Sequence, residues 1–322
     1  MKWLVTGGAG YIGTHVVRAL LAVGEDVVVV DDLSSGSRER VPEGVPLVVG
    51  SVLDRGLLDE VFRAHAVHGV VHIAGRKQVP ESVARPLFYY EENVEGLRTL
   101  LAAMVAADVT RIVFSSSAAV YGMPDVDLVD EDTPCLPINP YGESKLVGEW
   151  MIKATARAHG ISYASLRYFN VAGAGAPELA DKGVFNLVPM VLEKLTAHQA
   201  PVIFGDDYDT PDGTCVRDFI HVVDLAEAHV AATRRLATDP DAHLVLNVGR
   251  GEGTSVREMV ELIAEVTGLR DLAPERHPRR AGDPARVVAS ADLITTELGW
   301  KARLGTPDMV RSAWAGWQTP RG

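Results

Sequence analysis

Along this chain, short apolar runs alternate with longer segments whose apolar residues recur every three or four positions. The first run, 2–6, breaks into G-G-A-G-Y-I-G (7–13), and a helical period over 15–23 follows. The next run is four consecutive valines, 27–30, between Asp26 and Asp31. Unbroken valines suit a strand covered on both faces of a parallel sheet, since a half-exposed strand would alternate with polar residues. The same rhythm predicts a strand at 46–49, a helix at 54–64 and a strand at 69–74. A long helix over 81–107, interrupted near Pro86, comes next, with Asn93 in its middle. Then come a strand at 111–114, a helix running to about His159 and a strand at 162–167. Ser115 to Ser117 read as the point where a buried strand breaks into a hydroxyl-bearing loop. Repeated βα units of this kind predict an α/β fold built on a doubly wound parallel (Rossmann) sheet, whose ligands lie at the carboxyl ends of the strands.

Past residue 170 the rhythm loosens. A glycine-rich loop at 167–175 leads to a helix from Asn186 to about Ala197, a strand at 202–205 and a polar, turn-rich loop at 206–213. A strand at 216–221, a helix at 223–236 and a strand at 244–248 follow, and the remainder reads as two or three helices with their connections. The predicted division is a first domain at 1–169 and a smaller α/β C-terminal domain at 170–322. The segment 221–247 is a candidate to return to the first domain.

Composition narrows the classes. The 322 residues are 47% hydrophobic and 23% charged, with a formal charge of −12. That balance opposes nucleic acid or an anionic membrane as a general partner, because both need a basic surface. Cys135 and Cys215 are too few for a disulfide framework, form no CxxC pair, and read as small packed side chains, so no metal site is expected. No apolar run reaches the roughly 18 residues of a membrane span, so the expectation is a cytoplasmic protein.

Two stretches carry chemistry. Gly7, Gly10 and Gly13 let the backbone turn tightly, approach a pyrophosphate and pack helix on strand, with Tyr11 and Ile12 opening the helix. A glycine triplet alone is a plain tight turn; strand before, helix after and Asp31 ending the second strand point to a dinucleotide. Asp31 suits the adenosine ribose hydroxyls. A 2′-phosphate would meet both Asp31 and Asp32, and Arg38 and Arg40 lie beyond the intervening loop, so NAD is favoured over NADP. The second stretch is 115–145. Tyr141 and Lys145 stand at i and i+4 on one helix face, and a cation near a phenol favours the phenolate below its usual pKa of about 10. Ser117 is placed to hydrogen-bond the alcohol oxygen that the tyrosine deprotonates. His72, inside a strand, reads as a core histidine.

On these residues the chain resembles the extended short-chain dehydrogenase/reductases, and among them most closely the UDP-glucose 4-epimerases. The wider family supplies G-x-x-G-x-x-G and Y-x-x-x-K. The epimerase branch supplies S-S-S-A-x-V-Y-G (115–122), N-P-Y-G-x-S-K (139–145), R-Y-F-N (167–170), the long match over 203–225, and R-R-x-G-D (279–283). The resemblance implies Tyr141 as catalytic base, Lys145 as its electrostatic partner and nicotinamide-ribose ligand, and Ser117 as the hydroxyl on the substrate oxygen. It implies cofactor contacts from Asp31, Asp32, Ser35, Ser51, Val52, Ala74, Gly75, Lys77, Asn93, Ser115 and Tyr168. The UDP-sugar would meet Lys77, Asn170, Asn186, Leu187, Val202, Phe204, Arg217, Phe219, Arg280 and Asp283, with the two arginines on its diphosphate.

The implied reaction takes hydride from the sugar C4 to resident NAD, turns the 4-keto sugar, and returns hydride to its other face. A homodimer through the helices at 81–107 and 139–159 is also implied. The chain departs from the family at Ser51 (usually Asp), Ala119 (commonly Thr), Phe219 (frequently Tyr) and Val287, whose small size bears on 2-N-acetyl sugars. Competing readings stay within reach. UDP-GlcNAc/UDP-GalNAc or UDP-glucuronate needs only a changed pocket. Dehydratases and decarboxylases need an acid where Ala118 and Ala119 stand. A silent NAD-binding regulator tends to lose the tyrosine–lysine pair, which is present.

Overall fold

The computed structural model of the chain describes residues 1–280 and 282–319. Its first half runs β1 (Lys2–Thr6), α1 (Tyr11–Ala22), β2 (Asp26–Asp31), β3 (Leu47–Val49), α2 (Arg55–His65), β4 (Gly69–His72), α3 (Val79–Ala84), α4 (Pro86–Tyr89), a π-helical turn (Tyr90–Glu95), α5 (Gly96–Ala106), β5 (Arg111–Ser117), α6 (Pro140–His159) and β6 (Ser162–Tyr168). The second half runs β7 (Asn170–Ala172), α7 (Leu187–Thr196), β8 (Val202–Phe204), β9 (Val216–His221), α8 (Val222–Thr238), β10 (His243–Val248), β11 (Gly253–Ser255), α9 (Val256–Thr267), β12 (Glu275–His277), β13 (Arg286–Val287), α10 (Asp292–Leu298) and α11 (Thr306–Trp317).

Among the described residues the main sheet has seven parallel strands in the order β10-β6-β5-β4-β1-β2-β3. The valine run shows why it is covered on both sides. Val27 and Val29 enter the core beneath α1 and α8, while Val28 and Val30 enter the core beneath α2, α5 and α6. Trp3 and Val5 of β1 follow the first face and Leu4 the second, the period-two alternation of a strand. β10 pairs with β6 and α8 packs on α1, so the 222–248 stretch builds one edge of this sheet.

Beyond it, β9 pairs with β7, β11 and β13, and β8 pairs with β12. Helices α7, α9 and α11 cover this smaller group over a core that includes Leu192, Ile203, Met259 and Met309. No helix among the described residues is long and apolar enough to cross a membrane.

Three local expectations change. Ser115 to Ser117 continue β5 rather than ending it, because Leu166 to Tyr168 of β6 pair with them and complete the ladder. The helix predicted over 81–107 breaks before Pro86 as expected, at Arg85, but is interrupted a second time by the π-turn that holds Asn93. The loop at 167–175 contains β7, which pairs with the end of β9. The remainder after 248 holds three helices, as expected, and three short strands that lack an apolar run long enough to signal them.

Candidate active site

The carboxyl ends of β1, β2 and β4 open onto a cavity of about 460 Å³. Its floor is the glycine turn. Gly7 adopts φ +73°, and a Cβ there would meet the Ala74 backbone nitrogen at 2.7 Å. A Cβ at Gly13 would lie 2.0 Å from the Gly7 carbonyl, so helix and turn close only on hydrogen. α1 then begins at Gly10 with no side-chain cap and no acid in its first turn, leaving its N–H groups directed at the cavity, an arrangement suited to an anion.

Asp31 ties this floor to β2. Its two oxygens accept from the backbone N–H of Ala9 (2.9 Å) and Leu33 (2.8 Å), while burial pushes its pKa above the usual carboxylate value. Asp32, Ser35, Ser51, Val52, Ala74, Gly75, Lys77, Tyr141, Lys145 and Tyr168 line the same cavity, with Tyr11 and Ile12 at the helix start. Arg38 and Arg40 do not line it, and Arg40 donates instead to the Ala180 carbonyl.

Tyr141 reaches this edge through the start of α6. Asn139 caps the helix by accepting from Gly142 N–H at 2.9 Å, and Pro140 occupies the first turn. A Cβ on Gly142 would stand 2.5 Å from the Ala119 carbonyl, so the helix start lies against the segment that follows β5. That contact brings Tyr141 near Ser117, whose hydroxyl accepts from Ala119 N–H at 3.1 Å and lowers the phenol's pKa.

Lys145 lies one turn further along the same helix. Its Nζ donates to the Ser115 carbonyl at 3.0 Å and lies 6.0 Å from the Tyr141 ring centre. Burial pushes Lys145 down to about 8 and Tyr141 up, with the Ser117 hydrogen bond pulling Tyr141 part of the way back. Burial thus holds the phenol above its free value.

Beneath the site lies a buried network. Ser115 and Ser116 point to opposite faces of β5, the first to His229 of α8 (3.2 Å) and the second to Glu149 of α6 (2.5 Å). Arg167 holds Glu149 through two bonds of 2.9 and 2.6 Å and reaches the Tyr121 hydroxyl at 2.9 Å. Tyr121 in turn donates to Asn247 at 2.7 Å. His72 is buried and bonded to the Thr6 hydroxyl at 2.7 Å, which fits a core histidine.

Not every expected ligand faces the cavity. Asn93 has its amide engaged: it accepts from Arg76 N–H, donates to the Arg76 carbonyl, and donates to Ser144. It fixes the loop after β4 from behind. Ser115 is likewise behind the wall.

The remaining candidates lie in the smaller group. The Arg217 guanidinium is 3.6 Å from the Asp283 carboxylate, Arg280 stacks 3.8 Å above the Phe204 ring, and Asp283 N–H donates to the Arg280 carbonyl. Val202 shares β8 with Phe204, and Asn170 is exposed on β7. Asn186 donates to Asp181 at the start of α7, where Leu187 packs against the core. Phe219 is only 3% exposed and belongs to that core, because the covering helices leave no open face on this part of β9. Val287 pairs with Arg217 and packs with Tyr121, Leu146 and Phe169 behind Ala118.

Sequence reasoning missed Ser34, Arg76, Gln78, Glu81, Glu92 and Phe185, all of which line the cavity. No motif marks them; they come from separate segments, the loops after β2 and β4, α3, the π-turn and the stretch before α7.

Comparison with known proteins agrees with this geometry. Residues 3–249 match the model of the NAD dependent epimerase/dehydratase family. A UDP-glucose 4-epimerase of Azospirillum brasilense is 48% identical over 315 residues, covering 96% of this chain and 90% of that protein. A crystal structure of a UDP-glucose 4-epimerase superposes with a TM-score of 0.94 at 41% identity, covering 99% of this chain and 98% of the other. The Bifidobacterium longum UDP-glucose 4-epimerase, solved in complex with NAD+ and UDP, gives a TM-score of 0.91 at 40% identity and covers 98% of both chains.

Proposed function

The chain belongs to the NAD dependent epimerase/dehydratase family, and on that premise we propose that it interconverts UDP-glucose and UDP-galactose. The reaction inverts C4 through a transient 4-keto sugar. The observation that carries this reading is Tyr141 on the wall of the cavity that the glycine turn floors, with alanines at 118 and 119, after Ser117, where an acid would be needed to expel water from the sugar.

The residues fit NAD. The uncapped start of α1 suits a diphosphate, the Gly7 and Gly13 contacts leave room only for hydrogen, and Asp31 stands at the ribose end with Asp32 opposing a 2′-phosphate. NAD supplies a hydride acceptor and donor next to the sugar. The protein handles the proton. Tyr141 accepts it from the C4 hydroxyl and gives it back after the sugar turns. Ser117 shares the same oxygen, and Lys145, anchored on Ser115, brings the positive charge that the phenolate needs.

We assign the diphosphate to Arg217 and Arg280, with Phe204, Asn186 and Asp283 around the nucleotide. Arg280 and Asp283 would then leave their present partners for the ligand. Residues 1–169 with the 221–247 stretch hold the cofactor, and the rest of 170–322 holds the nucleotide-sugar.

We also propose a homodimer through the helices around α3, α4 and α6. Val83, Leu87 and Trp150 there are exposed at 63%, 80% and 60%, more apolar surface than water favours. Both cysteines are free thiols, which suits a cytoplasmic setting. Incubation of the purified protein with UDP-glucose, UDP-galactose, UDP-GlcNAc and UDP-glucuronate, each alone, followed by separation of the sugars, tests the function. The expected result is rapid glucose–galactose interconversion. Turnover of only UDP-GlcNAc or only UDP-glucuronate would move the assignment to that sugar, and no turnover of any would refute it.

A further inference from the structure

Arg76 occupies an unusual place among the cavity residues. It belongs to the loop after β4, yet its guanidinium engages the loop after β2: one nitrogen donates to Ser34 Oγ at 3.1 Å, and another lies 3.6 Å from the Asp32 carboxylate. In the sheet, β1 lies between β4 and β2. A side chain that joins those two loops therefore passes over the loop that follows β1, which is the glycine turn. Neighbouring strands are about 4.8 Å apart, so the span is roughly 10 Å, within the reach of an arginine aided by its loop.

The near end is fastened by consecutive residues of the π-turn. Glu92 accepts from Arg76 Nε at 2.9 Å, and Asn93 takes both the N–H and the carbonyl of the Arg76 backbone. The Phe88 ring lies 5.1 Å from the guanidinium carbon. π-turns are rare and concentrate at functional places, and this one brings two adjacent side chains onto one arginine. At the far end Ser34 donates to Asp32 Oδ1 at 2.6 Å, so the two acceptors of the guanidinium are themselves held together. With Asp32 and Glu92 both on it, the guanidinium has no unbalanced charge left to recruit a 2′-phosphate.

We propose that Arg76 is a strap across the dinucleotide groove, joining the two loops over the glycine turn and retaining the cofactor between turnovers. It is a positioning residue that gates passage of the cofactor. The proposal rests on the reading of the cavity as an NAD site. A strap makes a kinetic prediction that an ordinary ligand does not. A bridge across the groove hinders entry and exit alike, so its removal speeds both and leaves affinity little changed.

The test is stopped-flow association and chase-out dissociation of NAD on the full chain, wild type against Arg76→Leu and Arg76→Lys. With Arg76→Leu, both rates are expected to rise by roughly tenfold or more, the loss of one charge-assisted bridge, while Kd changes by less than about threefold. Arg76→Lys, which keeps the charge but loses the fork, should fall between. Ser34→Ala and Glu92→Gln loosen either end and should reproduce the direction, which covers the case in which Arg76→Leu does not fold. Unchanged dissociation in all of these variants overturns the strap. So does faster dissociation with unaltered association, since Arg76 would then be a direct ligand. If the wild type binds no NAD, the reading of the cavity fails rather than the strap alone.

Discussion

At the glycine turn, the groups that face the cavity are fixed by backbone. Asp31 is held by two N–H groups, the helix start is uncapped, and Gly13 leaves no room for a methyl group. In the smaller strand group, Phe204, Arg217, Arg280 and Asp283 come from separated segments and hold one another. The first arrangement is ready for a ligand that stays. The second, on the proposed assignment, exchanges internal partners for a ligand that comes and goes. An epimerase needs that contrast, a resident redox partner and an exchanging substrate, and the two regions should answer mutation differently.

The largest expected effect lies where the regions meet. Tyr141→Phe should lower turnover by roughly 10²–10⁴-fold while bound NAD, measured by absorbance after gel filtration, stays near one per chain. Turnover near wild type would remove Tyr141 as the base.

The next effect separates framework from grip. Arg167→Ala leaves Glu149 buried and unpaired and should cost about 3–5 kcal/mol of stability in denaturant unfolding. Arg217→Ala, whose partner Asp283 is half-exposed, should cost less than about 1 kcal/mol but raise KM for the UDP-sugar by roughly ten- to a hundredfold. Equal stability losses would erase the distinction between them.

How far the sequence revealed each region follows from the same contrast. The cofactor side is written in contiguous motifs, because a turn, its helix and the acid at the next strand end are set by local backbone. Four valines in a row announced a doubly covered strand, and the structure places them alternately in two cores. What stayed hidden depends on distant partners. Ser115 to Ser117 look like a loop until β6 pairs with them. The Glu149–Arg167–Tyr121–Asn247 network spans more than a hundred residues, and Arg76 carries no motif at all. Spacing on a helix shows that a lysine is near Tyr141, but not that its ammonium donates to the Ser115 carbonyl, nor that burial raises the phenol.

A smaller effect distinguishes the regions by pH. His15, His72 and His229 sit in the sheet region, and burial lowers them to about 4, 3 and 4. Each is neutral when folded and takes a proton first when unfolded, so its contribution is full above about 6.5 and is lost as pH falls below that value. Asp218, within β9, has the opposite sign. Burial raises it to about 6, so its contribution is present below the unfolded value near 3.8 and is lost as pH rises through about 6. Hydrogen exchange between pH 4 and 6.5 should show the sheet amides losing protection on acidification relative to those around β9. His229→Gln should flatten the first trend and Asp218→Asn the second. Parallel trends in both regions would contradict the assignment.

The central claim, that the sugar is oxidised and reduced at one carbon without release, is tested most directly with UDP-glucose carrying deuterium at C4. The account predicts UDP-galactose that retains the deuterium at C4, with no lasting absorbance at 340 nm. Loss of the label to water, or stoichiometric accumulation of NADH, would contradict it.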